Sequence, residues 1–222
     1  YVAEHDTERL TNEFHRSVGG LVLLLAPIAL LACIFSADLV RIVYLRGEFD
    51  AAAAQYTAQA LVGFAVGFPL VAIREMLIRL HFAYQNTKMP MLSNIASVVL
   101  NAALSILLAR YIGILGIALA TSLSAMLTIF LLDRSARQYI PKHRFSAFFP
   151  LFWRVALACA LAALPALALR RWLPAASLAG LLARFLLSAL CAAAVYLAAL
   201  LAVRCPELKQ ALQGLRGRLR RR

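Results

Sequence analysis

The sequence predicts an all-α, polytopic bundle of membrane-spanning helices. Hydrophobic residues make up 63% of the 222-residue chain and charged residues 15%, whereas soluble domains are usually about 45–50% apolar and about 25% charged. Glu75 is the only acid between residues 51 and 132, and residues 134–206 contain none. A soluble chain could not expose such stretches without aggregating, so the composition excludes a cytosolic enzyme, a secreted disulfide scaffold and a disordered region.

Six apolar runs are long enough to cross a bilayer, for which about 20 helical residues are needed. They cover residues 18–35, 58–78, 90–109, 112–132, 148–169 and 179–203. Their continuously apolar character favours helices over the alternating strands of a barrel. The link between the third and fourth runs is so short that these two helices should be antiparallel neighbours.

Local chemistry predicts where several helices begin. Asp50 is expected to cap the second spanning helix, and Pro90 to lie in the first turn of the third. Gly113 and Gly116 are expected to loosen the link between the third and fourth spans. Apolar residues alternate with arginines in residues 37–48, which indicates a short interfacial helix or extension.

The charge distribution predicts the orientation. The net charge is +13, and the bases lie between apolar runs, so the positive-inside rule explains them better than a nucleic-acid partner does. With the first residue inside, the cytoplasmic segments hold fourteen bases and the outer segments five, which places both termini in the cytoplasm. The basic tail, residues 204–222, is expected to attract anionic lipid. Its last arginines are Arg216, Arg218, Arg220, Arg221 and Arg222.

Charged residues near the cytoplasmic end of the second span are the main candidates for a site. One interpretation is that Arg74 and Arg79 bind an anionic substrate group while Glu75 balances their charge or couples transport to an ion. The other is that the arginines reach the headgroups and Glu75 forms a structural pair. Arg74 and Glu75 are neighbours, about 100° apart around the helix, so the pattern does not predict one common face. Arg184, in the sixth span, is expected to reach the outer headgroups.

Uncharged residues in the second and third spans add further candidates. Gly63 and Gly67 form a flat face for helix packing, and together with Pro69 they could instead form a bend that flexes during transport. Asn94 and Asn101 are seven residues apart and share one stripe. That stripe should face protein or water, for interhelical hydrogen bonds or for cavity lining. The sequence carries no signature of an enzyme, and neither a cofactor nor a metal is predicted.

Several segments together resemble the C-terminal part of the MviN/MurJ family of flippases for lipid-linked cell-wall precursors. Residues 39–50, LVRIVYLRGEFD, are similar to the family's loop with a hydrophobic-x-RG-x-F pattern. Residues 79–90, RLHFAYQNTKMP, resemble the family's FYAxQDTxTP, and residues 116–122 match the helix entry that follows. The sequence departs from the pattern at Asn86, where aspartate is common, and at Met89, where threonine is common. The lost acid puts a charge-paired gate at that loop in doubt.

The resemblance implies a MATE-like fold of fourteen helices in two lobes, within the MOP superfamily. Residues 1–139 would be a four-span part of the second lobe, and residues 140–203 two final helices that form a groove for the lipid tail. The first lobe and the start of the second, both missing from this sequence, would complete the protein. The implied substrate is a polyprenyl-linked anionic glycolipid, moved across the bacterial inner membrane by alternating access. Arg74, Arg79 and Lys88 are the expected pyrophosphate contacts, and Asn94 and Asn101 would line the cavity.

Other functions remain open at this point. The chain could belong to another exporter of the same superfamily, which moves an O-antigen or exopolysaccharide unit or a drug. It could also be a non-catalytic membrane assembly subunit, for which a bundle with few polar groups is adequate.

Overall fold

The computed structural model describes residues 7–44, 50–140, 148–173 and 177–203, and this part of the chain is helical. The helices are α1 (Thr7–Ile34), α2 (Ser36–Tyr44), α3 (Ala51–Ala83), α4 (Lys88–Ala136), α5 (Phe149–Trp172) and α6 (Leu178–Ala202). All except α2 are long and apolar enough to cross a membrane. The predicted polytopic helical bundle is therefore confirmed, and α2 fits the short helix expected within residues 37–48.

Helix α4 contains two of the predicted spans. Its 49 residues would extend over about 70 Å as one straight helix, more than twice the thickness of a hydrocarbon core. The backbone leaves the helical conformation at Ile112 and Gly113, and Gly113 has a φ of 61°, which glycine adopts without a steric penalty. Ser97 Oγ then donates a hydrogen bond to the carbonyl oxygen of Ser124 at 3.1 Å. Residues 88–111 (α4a) and 114–136 (α4b) therefore form the expected antiparallel hairpin.

The predicted helix starts are also found. Asp50 has an extended conformation, and its carboxylate accepts a hydrogen bond from the backbone N–H of Ala53 at 2.6 Å. Pro90 lies in the first turn of α4. Gly116, however, does not loosen the hairpin: a Cβ there would lie 2.5 Å from the carbonyl oxygen of Leu108. Its role is to let the two arms of α4 approach closely.

Helix α1 lies between two helical pairs. Its main partners are α3, which also packs on α4, and α5, which also packs on α6. We name the two ends of the bundle after the segments that lie there. The loop end holds the start of α1, the α3–α4 loop and the start of α5, and the α2 end is opposite. Large apolar side chains such as Val98 and Leu190 are about two-thirds exposed, as expected for helices that face lipid.

Two predicted features fall partly or wholly outside the described residues. The basic tail with Arg216, Arg218, Arg220, Arg221 and Arg222 is one, and residues 45–49 of the family-like loop are the other. The division between residues 1–139 and 140–203 stays a prediction, because α1 packs on both sides of it.

Candidate functional site

The charged cluster on α3 contains a direct ion pair. Arg74 Nη2 lies 3.1 Å from Glu75 Oε1, and the two side chains are 28% and 47% exposed. Their backbone positions differ by a quarter turn, as the spacing predicts, but these long side chains bend towards each other and meet. Arg74 Nε is buried and has no hydrogen-bond partner among the described residues. Arg79, one turn closer to the loop end, is exposed.

The other predicted polar residues lie on α4a, and among the described residues no hydrogen bond or ion pair joins them to Arg74 or Glu75. Lys88 is exposed at the first residue of α4, and Asn94 is exposed two turns later. Asn101 is half-buried and accepts a hydrogen bond from Ser105 Oγ at 3.0 Å, within the same helix. The structure therefore brings Arg74 and Glu75 together and leaves Arg79, Lys88 and Asn94 on accessible surface.

The glycines of α3 are in tight contact with α4b. A Cβ added at Gly63 would lie 2.5 Å from the Cβ of Ala118, and one at Gly67 would overlap Ser122 Oγ. Ser122 Oγ also donates to the carbonyl oxygen of Gly63 at 3.2 Å. α3 continues as one helix through Pro69. These contacts agree with a packing face, and a hinge role for Gly63, Gly67 and Pro69 stays a prediction.

Asn86 joins the α3–α4 loop to the far end of α4. Its Nδ2 donates to the hydroxyl of Tyr139 at 2.7 Å, while its Oδ1 accepts from the backbone N–H of Met89 at 3.2 Å. The Tyr139 ring stacks on Tyr84, with ring centroids 4.3 Å apart, and meets His81 edge-on. The side chain that replaces the family's common aspartate thus acts as a donor and an acceptor at once, which a carboxylate cannot do. The sequence pattern gives no sign of this contact, because Tyr139 lies 53 residues from Asn86.

The sequence patterns also did not predict a buried ion pair at the α2 end. Arg184 Nη2 lies 2.7 Å from Asp38 Oδ2, and the side chains are only 12% and 6% exposed. Arg184 Nη1 donates to the carbonyl oxygen of Leu173 at 3.1 Å, and Arg170 donates to the carbonyl oxygen of Ile34. Arg184 therefore points into the protein, and the expectation that it reaches the headgroups was wrong. The sequence contained one sign of this pair: Asp38 and Arg184 are an acid and a base that lie in apolar segments at the same end of the bundle.

The described residues line at least three cavities between the helices. One of about 540 Å³ is apolar and lies between α1, α3 and α4, and one of about 610 Å³ lies between α2 and α3. The third, of about 580 Å³, lies between α3, α4b and α5 at the loop end. The predicted contacts Arg74, Arg79 and Lys88 line none of these three. Among the described residues, no group of three histidine, cysteine or acidic side chains could hold a metal.

Comparisons with known proteins agree on one family. The family model described as "Lipid II flippase MurJ" matches residues 1–200. A "Probable lipid II flippase MurJ" from Bdellovibrio bacteriovorus is 30% identical over 120 residues, which are 54% of this chain and 23% of that protein. A protein of the same description from Rhizobium tropici is 33% identical over 113 residues, 51% of this chain and 21% of that protein.

A solved structure has the same fold. The "Lipid II flippase MurJ, inward closed conformation" superposes with a TM-score of 0.71 at 20% sequence identity, and the match covers 87% of this chain and 39% of that chain. The chain thus spans less than a quarter of the length of these two curated relatives. The family match over residues 1–200 and the shared membrane-helical fold lead to one conclusion: the chain belongs to the MurJ family of lipid II flippases.

Proposed function

We propose that this chain forms the C-terminal part of a flippase that moves a polyprenyl-pyrophosphate-linked precursor, of the peptidoglycan lipid II type, across the bacterial inner membrane. The observation that carries the proposal is the family match over residues 1–200. The fold likeness supports it, since 87% of this chain superposes on 39% of a longer flippase. The remaining helices of such a protein would form the first lobe and the start of the second.

Transport would proceed by alternating access, with the two lobes rocking around a central cavity. A pyrophosphate in a low-dielectric cavity needs cationic partners, and the guanidinium fork suits its oxygens. Arg74 has a buried Nε without a partner among the described residues, and Arg79 and Lys88 are exposed. These three groups are the proposed pyrophosphate contacts on this lobe, and Glu75 balances the charge of Arg74 until substrate arrives.

The exposed side of α4a is the proposed cavity wall. It presents Asn94 among exposed apolar residues, and an exposed amide is unfavourable against lipid tails. The half-buried Asn101 lies two turns further along the same stripe. This surface would face the first lobe rather than lipid.

The remaining proposals concern the membrane. Helices α5 and α6 would carry the lipid tail along their outer surface, and the basic tail, Arg216 to Arg222, would hold the C-terminus at the anionic cytoplasmic leaflet. Both ends of this segment would then be cytoplasmic. The proposal involves transport alone, with no catalytic step and no cofactor.

Replacement of the two arginines in the intact protein tests this site. Each charge-assisted hydrogen bond contributes about 1.5–3 kcal/mol, so Arg74→Ala and Arg79→Ala should each reduce lipid II transport by at least about tenfold. Arg74→Lys should retain part of the activity, because the charge remains. The matched control is Arg110→Ala, an exposed arginine at the opposite end of the bundle, which should leave transport unchanged.

The assay is growth of a strain depleted of its own flippase, with membrane levels of each variant measured in parallel. If Arg74→Ala and Arg79→Ala complement as well as Arg110→Ala does, this substrate site is wrong. If all three fail at normal membrane levels, the effect is one of general charge and the assignment is again wrong.

A further inference from the structure

The cavity between α3, α4b and α5 is lined by two kinds of side chain. Its volume is about 580 Å³, within the range of about 300–1,000 Å³ that is typical of ligand sites. The apolar wall is formed by Leu70, Met126, Ile129, Phe130 and Phe152. The charged side is formed by Asp133 and Arg134 in the last turn of α4 and by Arg137, its C-cap residue. The cavity is therefore amphipathic, apolar within the bundle and cationic at the loop end.

Positively charged side chains outnumber negatively charged ones in the lining of this cavity. Asp133 is buried, and its Oδ2 lies 3.2 Å from Arg137 Nη2. Arg134 is exposed beside this pair. The rim of the cavity thus holds two guanidinium groups and one carboxylate, and this excess positive charge favours an anion.

The helices around the cavity leave a gap that hydrocarbon would fill. α4 packs mainly on α3, whereas α5 packs mainly on α6 and α1. The space between α4b and α5 is consequently bounded by apolar side chains from both, Ile129 and Phe152 among them. In a membrane, the material at hand for such a space is a lipid acyl chain, and each buried CH₂ contributes about 0.8 kcal/mol.

We propose that this cavity binds an anionic glycerophospholipid, with one acyl chain against the apolar wall and the phosphate on Arg134 and Arg137. Basic pockets between transmembrane helices on the cytoplasmic side are a general means of holding anionic headgroups. The guanidinium fork matches phosphate oxygens. The bound lipid would join α4b to α5, which have few direct contacts, and so would stabilise the bundle at this border. The inference goes beyond the proposed transport function and does not depend on it.

The test is lipid binding by the intact purified protein in detergent. The probes are phosphatidylglycerol, which is anionic, and phosphatidylcholine, which is zwitterionic, and retained lipid is counted by native mass spectrometry. The intact protein should bind phosphatidylglycerol at least about fivefold more tightly, since one base near an anionic headgroup contributes about a factor of five. Arg134→Gln should lower phosphatidylglycerol affinity by a similar factor and phosphatidylcholine affinity by less, because the choline cation offsets the phosphate charge. This substitution spares the Arg137–Asp133 pair.

Two further variants separate the cavity from the general surface. Met126→Trp places a larger side chain on the apolar wall and should reduce the binding of both lipids. The matched controls are Leu123→Trp, an exposed position one turn earlier on α4b, and Arg110→Gln, an exposed arginine outside the cavity. Both controls should bind phosphatidylglycerol like the unmodified protein.

Three results would overturn the proposal. One is equal binding of the two lipids by the unmodified protein. Another is an equal loss for Arg134→Gln and Arg110→Gln, which would indicate non-specific surface charge. The third comes from a competition experiment with a polyprenyl phosphate. If this compound displaces phosphatidylglycerol from the unmodified protein but not from Arg134→Gln, the cavity is a site for the transported substrate.

Discussion

Removal of Asp38 is expected to destabilise the α2 end strongly. The carboxylate lies 2.7 Å from Arg184 Nη2, and both side chains are almost fully buried. Breaking a buried ion pair by removing one partner costs about 3–5 kcal/mol, because the other charge remains buried without compensation. The carbonyl oxygen of Leu173 still accepts from Arg184, so Asp38→Ala should lie at the lower end, about 3 kcal/mol.

The double variant distinguishes the pair from simple packing. Replacing both partners, Asp38→Ala with Arg184→Met, removes the uncompensated charge, and buried pairs replaced by apolar groups are often neutral. The double variant should therefore be more stable than Asp38→Ala alone by about 2 kcal/mol. The matched control is Glu13→Ala. Glu13 lies 3.9 Å from Arg16, and both side chains are more than 40% exposed, so its loss should cost less than about 1 kcal/mol.

The assay is thermal unfolding of the purified protein in detergent, with the unfolding midpoint compared among the unmodified protein and the three variants. For a chain of this size, 1 kcal/mol shifts the midpoint by about 2–4 °C, so Asp38→Ala should lower it by about 6–12 °C. The reasoning is refuted if Asp38→Ala and Glu13→Ala shift the midpoint equally. It is also refuted if the double variant is the least stable of the set.

The same unfolding assay tests three further positions. Gly67→Ala should lower the stability by about 1–3 kcal/mol, because the added Cβ meets α4b. The control Gly20→Ala has open space around its Cβ and should raise the stability by up to about 1 kcal/mol. Equal effects of the two substitutions would contradict the packing assignment. Asn86→Ala should lose about 1–2 kcal/mol with its bond to Tyr139, and no loss would mean that this bond is not formed. Gly113→Ala should cost about 1–2 kcal/mol because its φ of 61° is left-handed, and an unchanged midpoint would argue against the sharp α4 turn.

Local features of the fold were predictable from the sequence. The cap at Asp50 and the reversal near Gly113 depend on residues a few positions apart, and the pattern contains that information directly. The number of spans followed from the lengths of the apolar runs, even though α4 joins two of them into one element.

Long-range contacts were not predictable in the same way. Asn86 and Tyr139 are 53 residues apart, and Asp38 and Arg184 come from helices with no local relation in sequence. Each was visible only as a polar residue in an unusual place. Pairing them requires the arrangement of the helices, which periodicity does not specify.

The candidate site was predicted in part. The charges on α3 were found because ionisable residues are rare within apolar spans, and the structure adds the contact between Arg74 and Glu75. Whether Arg79, Lys88 and Asn94 meet a common substrate depends on the surface opposite them, which the described residues do not include.

Transport by the intact protein tests the central claim most directly. The protein that contains this chain would be reconstituted in liposomes with fluorescent lipid II, and the rate at which the lipid changes leaflet would be measured with a membrane-impermeant quencher. We expect a rate clearly above that of protein-free liposomes and of liposomes with heat-inactivated protein. A rate equal to those controls, or movement of an O-antigen-type lipid but not of lipid II, would contradict the assignment.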